Sequence, residues 1–302
     1  MINKLFNGKP ILVTGSHRSG STWVGRMLSL PSKVRYIQEP FNLNEPYKNK
    51  PLTYWFEYVS NADDSQRQQA FYTYINNFIG IPINMLSSQL VSAVLSGTLK
   101  SHLGKIKERL TRRYLIKDPL ALFSAEWMAQ KFDMEVVVVI RHPAAFVASL
   151  KKQLWYHDFS HFTDQRLLMS EVLSNFKTEI KRIEQAEADI IEHGILLWNL
   201  IHYRIKSYQD DQNGWHFVRH EDLSSDPIVA FKKLYKTLRM DFSADVETAI
   251  LNHTQGNLKS DLRRNSSENI QAWKRSLTAE EILRIRTGTW DISTFFYSEK
   301  EW

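Results

Sequence analysis

The 302-residue chain contains no cysteine. That excludes disulfides, thiolate catalysis and cysteine-based metal sites together. It has no run of about 18 apolar residues, the length a membrane-crossing helix needs. The most apolar long window, 78–99, is broken by Gly80, Pro82, Asn84 and several serines. The opening MINKLFNGKP brings in charge, Gly8 and Pro10 too early for the apolar heart of a signal peptide. There is no internal repeat, no low-complexity tract and no long block of lysine or arginine. The formal charge of +6 is a mild excess spread over both halves. It suits anionic ligands and is too diffuse to argue for nucleic acid. With 43% hydrophobic and 12% aromatic residues, the chain has ample material for a packed core. The expectation is a soluble, cytoplasmic protein with no transmembrane segment and no nucleic-acid partner.

What is present is concentrated near the start. Ile11, Leu12 and Val13 read as a buried strand, followed by a polar, glycine-containing loop from Thr14 to Ser21. A helical pattern then begins, with Trp23, Val24, Met27 and Leu28 on one apolar face. Strand, glycine loop and helix together aim backbone N–H groups and a helix N-terminus at a phosphate or sulfate. The loop nearly matches the nucleotide-binding pattern G-x-x-x-x-G-K-[ST] through Gly15, Gly20 and Thr22, but Ser21 stands at the lysine position. Loss of that lysine argues against a triphosphate. Arg18 supplies a cation within the loop instead, with the hydroxyls of Ser19, Ser21 and Thr22 around it.

Further strands are expected at 34–37, 114–116, 136–140 and 215–218, separated by helical stretches. The run EVVVVI suits the centre of a parallel sheet covered on both faces. Residues 52–113 read as mainly helical with an aromatic stripe, and 166–206 as one long helical section. Asp226-Pro227 opens another helix. The fold class is therefore α/β, a P-loop-like three-layer arrangement with a central parallel sheet flanked by helices. A single domain over 1–302 is expected, with helical insertions at about 41–113 and 150–195 on the acceptor side. Ligands of such sheets bind beyond the carboxyl ends of the strands.

The polar groups lie where that rule puts them. Arg18, Glu39, Lys117, Arg141 and His220 each follow a strand run directly. Arg141 and Ser149, eight positions later on a helix, suggest a grip on a second phosphate, the guanidinium fork matching phosphate oxygens. Ser149 lies about two turns into that helix, so it reaches the site only if the Arg141 loop folds back. Two separated anion grips point to a nucleotide with two distinct anionic groups.

The chain resembles the sulfotransferases that use 3′-phosphoadenosine 5′-phosphosulfate (PAPS), and among them the carbohydrate O-sulfotransferases. Four stretches carry the likeness: Arg18-Ser19-Gly20-Ser21-Thr22-Trp23, Tyr36-Ile37-Gln38-Glu39-Pro40, Val139 to Pro143 through Ser149, and Val218 to Leu223. Coverage is good over 10–40, 114–150 and 215–235 and poor over 41–113 and 150–195. The resemblance implies that Arg18 and the amides of Ser19 to Thr22, Gly20 and Ser21 included, hold the 5′-phosphosulfate. It implies Trp23 beside the adenine and Arg141 with Ser149 on the 3′-phosphate. Arg264, in the basic segment before Trp273-Lys274, resembles a late loop closing over that phosphate. His220 falls where some members have a tyrosine near the base.

The histidine that cytosolic members place two residues after the strand-end lysine is absent, since Pro119 stands there. The resemblance assigns the catalytic pair to Glu39 and Lys117 instead. Glu39 takes the acceptor proton, as a glutamate before a proline does in the heparan-type enzymes, and Lys117 neutralises the leaving bridge oxygen. No metal is implied. The acceptor is expected to be a hydroxyl of a carbohydrate or glycolipid, with Lys151-Lys152 allowing an anionic one. His142, His157 and His161 are expected to be mostly solvated, the latter two as candidates for the acceptor cleft. Trp55, Tyr58, Trp155 and Tyr156 serve either a core or a sugar ring. Two alternatives stay open on the residues alone: a P-loop kinase or NTPase, and a non-catalytic nucleotide-binding relative.

Overall fold

The computed structural model describes residues 8–80, 94–101, 103–104, 111–211, 214–254 and 270–302. Five strands form one parallel sheet: β1 (Ile11–Gly15), β2 (Val34–Gln38), β3 (Arg113–Lys117), β4 (Glu135–Ile140) and β5 (His216–Arg219), in the order β2-β3-β1-β4-β5. Alternation of side chains sends Leu12, Ile116, Val136 and Val138 to one face and Ile11, Val13, Leu115, Val137 and Val139 to the other. Both faces are covered, which is why the β1 and β4 runs are apolar without a break.

Helix α1 (Ser21–Leu28) covers the second face together with α9 (Pro227–Thr237) and α10 (Ala244–Thr254). The larger first face is packed by α3 (Ala125–Phe132), α4 (Pro143–Gln153) and α7 (Ile190–Asp210), with α11 (Ala279–Ser293) laid against α4 and α7. Other helices of the described residues include α2 (Ser65–Ile79), α5 (Arg166–Glu171), α6 (Lys177–Gln185) and α8 (His220–Ser225), with single turns at Ser160–Thr163 and Trp273–Ser276. Chain direction across the sheet reverses at β1, since β1 leads toward β2 and β4 leads toward β5. The crevice beyond β1 and β4 is thus the switch point where an open α/β sheet takes its ligand.

Two helical expectations are corrected. Residues 52–64 carry no helix, and α2 begins only where the Asp64 carboxylate accepts from Arg67 N at 2.8 Å. The segment before it is held by side chains that replace helical bonds. Lys50 Nζ donates to the carbonyls of Asn42, Leu43 and Glu45, and the Glu57 carboxylate accepts from Thr53 N and Tyr54 N. The expected long helix over 166–206 is three helices, α5, α6 and the front of α7. Asp189 breaks the run by capping α7, accepting from Ile191 N at 3.1 Å and Glu192 N at 3.0 Å. Asp226 behaves as read, capping α9 through Val229 N with Pro227 in the first turn.

Candidate active site

The loop after β1 is built by two glycines with no room for a side chain. Gly15 has φ +136°, and a Cβ there would lie 2.2 Å from the Val139 carbonyl oxygen of β4. Gly20, at φ +88°, is the N-cap of α1 and offers no side-chain cap. No acidic residue lies in the first turn of α1. The helix therefore presents uncapped amides, and its positive end, into the crevice. Around it, the hydroxyls of Thr14, Ser16 and Ser19 are buried with no hydrogen-bond partner among the described residues. Buried hydroxyls without partners are rare in a folded chain, and three between the end of β1 and the start of α1 mark a place for a polar ligand.

Two arginines are tied to this loop. Arg18, itself at φ +61°, donates from Nε to Ser149 Oγ of α4 at 2.8 Å, and Arg141 donates to the Arg18 carbonyl. Ser149 thus faces the β1 loop from the second turn of α4. Arg141 is anchored from behind: Trp198 Nε1 of α7 donates to its carbonyl at 3.0 Å. The next amide, of His142, donates to Glu221 Oε1 at 3.0 Å, while Tyr297 Oη donates to Glu221 Oε2 at 2.9 Å. Burial pushes the Glu221 carboxyl up, offset by the donors it accepts. Trp23 stands edge-on to His220 and Phe231, with ring centroids 5.7 and 5.2 Å away.

The other pair arises from sheet register. Gln38 of β2 lies opposite Lys117, the last residue of β3. Glu39 is one step beyond, and its N–H donates to the Lys117 carbonyl at 2.8 Å. Glu39 has a left-handed backbone, φ +43°, and its carboxylate takes the Lys117 ammonium on Oε1 and Asn42 Nδ2 on Oε2. The Lys117 stem runs along α1 at Gly25, where a Cβ would come 2.9 Å from its Cγ. Lys117 is 1% exposed. Asp118, fully buried behind it, accepts from Phe41 N and Leu120 N; burial outweighs those donors and raises its pKa to about 7.

The structure brings Arg18, Ser19, Gly20, Ser21, Thr22, Trp23, Arg141 and Ser149 to one crevice, with Glu39 and Lys117 at the ends of the adjoining β2 and β3. Arg264 lies outside the described residues. A profile of the sulfotransferase family matches residues 10–244. The chain belongs to the sulfotransferase family. No curated protein matches it. Among solved structures, the sulfotransferase domain from the curacin biosynthetic pathway is 16% identical, with 93% of this chain and 96% of that one covered at a TM-score of 0.45. The sulfotransferase domain of the Synechococcus PCC 7002 olefin synthase is 15% identical, with 97% of each chain covered and a TM-score of 0.46. Mouse sulfotransferase SULT7A1, complexed with PAP, is 12% identical over 99% of this chain and 88% of its own, with a TM-score of 0.45.

Sequence reasoning missed three features of this sulfotransferase. His142, expected in solvent, is 2% exposed, caps α4 and lies flat on Trp273 with ring centroids 5.1 Å apart; burial lowers its pKa to about 3. His17, one residue before Arg18, is also buried, against Phe56, Phe146 and Trp155. Glu221, which fixes the chain after Arg141, carries no local signal beyond standing after a strand. Lys151, expected to allow an anionic acceptor, is instead held by both oxygens of Glu281 at 2.6 and 2.8 Å. No described helix is long and apolar enough to cross a membrane.

Proposed function

We propose that the chain moves a sulfuryl group from PAPS to an acceptor hydroxyl. The observation that carries this reading is the convergence of Arg18 and Arg141 on one lysine-less loop, whose buried serine hydroxyls have no hydrogen-bond partner among the described residues and whose helix end has no side-chain cap. A sulfuryl donor with a second phosphate fits that donor set. Arg18, the amides of Ser19 to Thr22 and the Ser19 hydroxyl would hold the 5′-phosphosulfate, and Arg141 with Ser149 the 3′-phosphate. Trp23 would flank the adenine, and Arg264 is kept as a proposed contact on the 3′-phosphate.

PAPS supplies an activated sulfur whose bridging bond to the 5′-phosphate breaks as the acceptor oxygen attacks in line. Glu39 takes the acceptor proton as the new S–O bond forms, and Lys117 offsets the charge building on the bridge oxygen. The ion pair between them serves both roles: it positions the Glu39 carboxylate at the end of β2 and holds Lys117 at the end of β3 until the nucleotide competes for it. A hydroxyl of a carbohydrate or glycolipid is the acceptor class this reading carries, supported by the Glu39-Pro40 pattern.

Calorimetric titration with adenosine 3′,5′-bisphosphate (PAP) and with ATP–magnesium tests the proposal. Tight binding of PAP and weak binding of ATP–magnesium are expected. Equal or tighter ATP–magnesium binding overturns it, as does failure to move labelled sulfate from PAPS to any acceptor in a host extract.

A further inference from the structure

A cavity of about 380 Å³ opens beside the β1 loop. Its lining draws on the same loops that carry the charged groups. His17 precedes Arg18, Asn44 lies on the loop after Glu39, and Leu120 follows Lys117 by three residues. Those loops are tied to the charges directly. Asn42 donates to Glu39 and accepts from Asn44 N at 2.9 Å, while Asp118 accepts from Leu120 N at 2.9 Å. The far wall, 155–158, follows the end of α4, the helix that carries Ser149.

The chemistry of the lining is uniform. Trp55, Phe56, Trp155 and Tyr156 give it four aromatic rings. Asp158 is the one acidic residue, and no lysine or arginine lines it among the described residues. Burial lowers His17 and His157 to a pKa of about 3, so both imidazoles are neutral at physiological pH. His17 Nδ1 and His157 Nε2 are each buried with no hydrogen-bond partner among the described residues. An apolar, ring-lined pocket with a few polar atoms is the usual form of a small-molecule site, and this volume lies near its small end. His161 adds a third imidazole to the lining. An anionic group placed here would be desolvated with no lysine or arginine in the described lining and one carboxylate nearby, a costly arrangement.

We infer that this cavity receives the acceptor, and that the acceptor is an uncharged alcohol on a flat ring frame, hydrogen-bonded by the imidazoles of His17 and His157. The inference rests on the sulfuryl-transfer reading and narrows it: an aromatic alcohol and a neutral sugar share this chemistry, an acidic glycan does not.

The test compares kcat/KM with PAPS for four acceptors, following product by mass spectrometry: 2-naphthol, 6-hydroxy-2-naphthoate, phenyl β-glucoside and a uronate-containing disaccharide. At least one neutral compound is expected to exceed both carboxylates tenfold or more; which one it is identifies the frame. Preference for a carboxylate overturns the inference, and so does refusal of both neutral compounds. Trp155→Ala, at a 45% exposed position whose ring also packs on His17, is expected to raise KM for the preferred acceptor about three- to tenfold with PAP affinity unchanged, a thermal melt showing that the variant is folded. An unchanged KM overturns the cavity as the acceptor site. PAP calorimetry on the same preparation separates the two levels. No PAP binding sinks the sulfuryl-transfer reading, whereas PAP binding without turnover of a neutral acceptor sinks this inference alone.

Discussion

Arg18 and Ser149, 131 positions apart, share a hydrogen bond of 2.8 Å from guanidinium Nε to hydroxyl. It joins the loop after β1 to the helix after β4 and closes the switch-point crevice into one site. A nucleotide bearing two anionic groups would engage both residues, so their removal should weaken PAP unequally. Arg18→Ala removes charge-assisted bonds and is expected to raise the PAP Kd about 10- to 150-fold. Ser149→Ala removes a neutral hydroxyl and should cost about three- to tenfold. Arg18 is exposed, so the melting temperature of its variant should stay within a degree or two of the parent. Calorimetry and thermal melts check both; equal losses in the two variants would break the assignment.

Glu39 and Lys117 call for a different readout, because each is the other's partner. Glu39→Gln keeps the shape and loses the base, so kcat should fall by about 10²- to 10⁴-fold with PAP affinity nearly unchanged. Lys117→Met should lower kcat by a similar order and also weaken PAP. It leaves the Glu39 carboxylate with Asn42 as its remaining side-chain donor among the described residues, so some stability goes with it. Single-turnover rates alongside PAP titrations distinguish the two. Were Glu39→Gln to retain most of the rate, the base would lie elsewhere.

The five strand-end positions were readable because parallel sheets signal themselves twice, in unbroken apolar runs and in the polar residue that ends each run. Val136 to Ile140 and the Arg141 after it are the plainest case. Register did the rest without any local signal: only the pairing of Gln38 with Lys117 puts Glu39 against that ammonium. The aromatic stripe of 52–78 misled because Tyr58, Phe71 and Tyr74 are buried as a helix face would be, though only Phe71 and Tyr74 lie on one. His142 misled for the opposite reason. A histidine between Arg141 and Pro143 looks solvated until Trp273, Tyr297 and Trp302, more than 100 residues away, cover it. Trp55, Trp155, Tyr156, His157 and His161, read as candidates for the acceptor side, do line one cavity; their convergence was the illegible part, since they come from separate loops that no spacing connects.

Buried ionisable groups fix the pH response of stability. His17, His142, His157 and His202 each have a folded pKa of about 3 against 6.5 unfolded. The unfolded chain therefore binds more protons between those values, and stability rises with pH from about 3 to 6.5. Asp118 opposes this: its pKa goes from 3.8 unfolded to about 7 folded, so its part of the stability falls as pH rises across that window. Glu221 and Glu179, also raised by burial, act in the same sense as Asp118. The four imidazoles, joined by carboxylates held low such as Asp189 and Glu301, outweigh these three and leave a net rise, to be seen as a higher urea midpoint at pH 6.5 than at pH 4.5. Asp118→Asn removes only its own opposing part, so the stability of the variant relative to the parent should grow between pH 4 and pH 7. A constant difference across that range would show that Asp118 ionises as it does in the unfolded chain.

Gly20 offers the sharpest test of the loop itself. At φ +88° an alanine there pays the left-handed penalty of about 1–2 kcal/mol, and its Cβ would lie 2.4 Å from His220 Cδ2. The clash is with the far end of a side chain, so it can be relieved separately from the backbone strain. Gly20→Ala is expected to raise the PAP Kd at least tenfold, because displaced amides at the start of α1 lose their aim at the anion. Adding His220→Ala should recover part of that loss and leave the part due to φ. Calorimetry on the single and double variants decides. If the double variant binds no better than Gly20→Ala, His220 does not set the loop's shape, and if the single variant binds as the parent does, the α1 amides are not what holds the nucleotide.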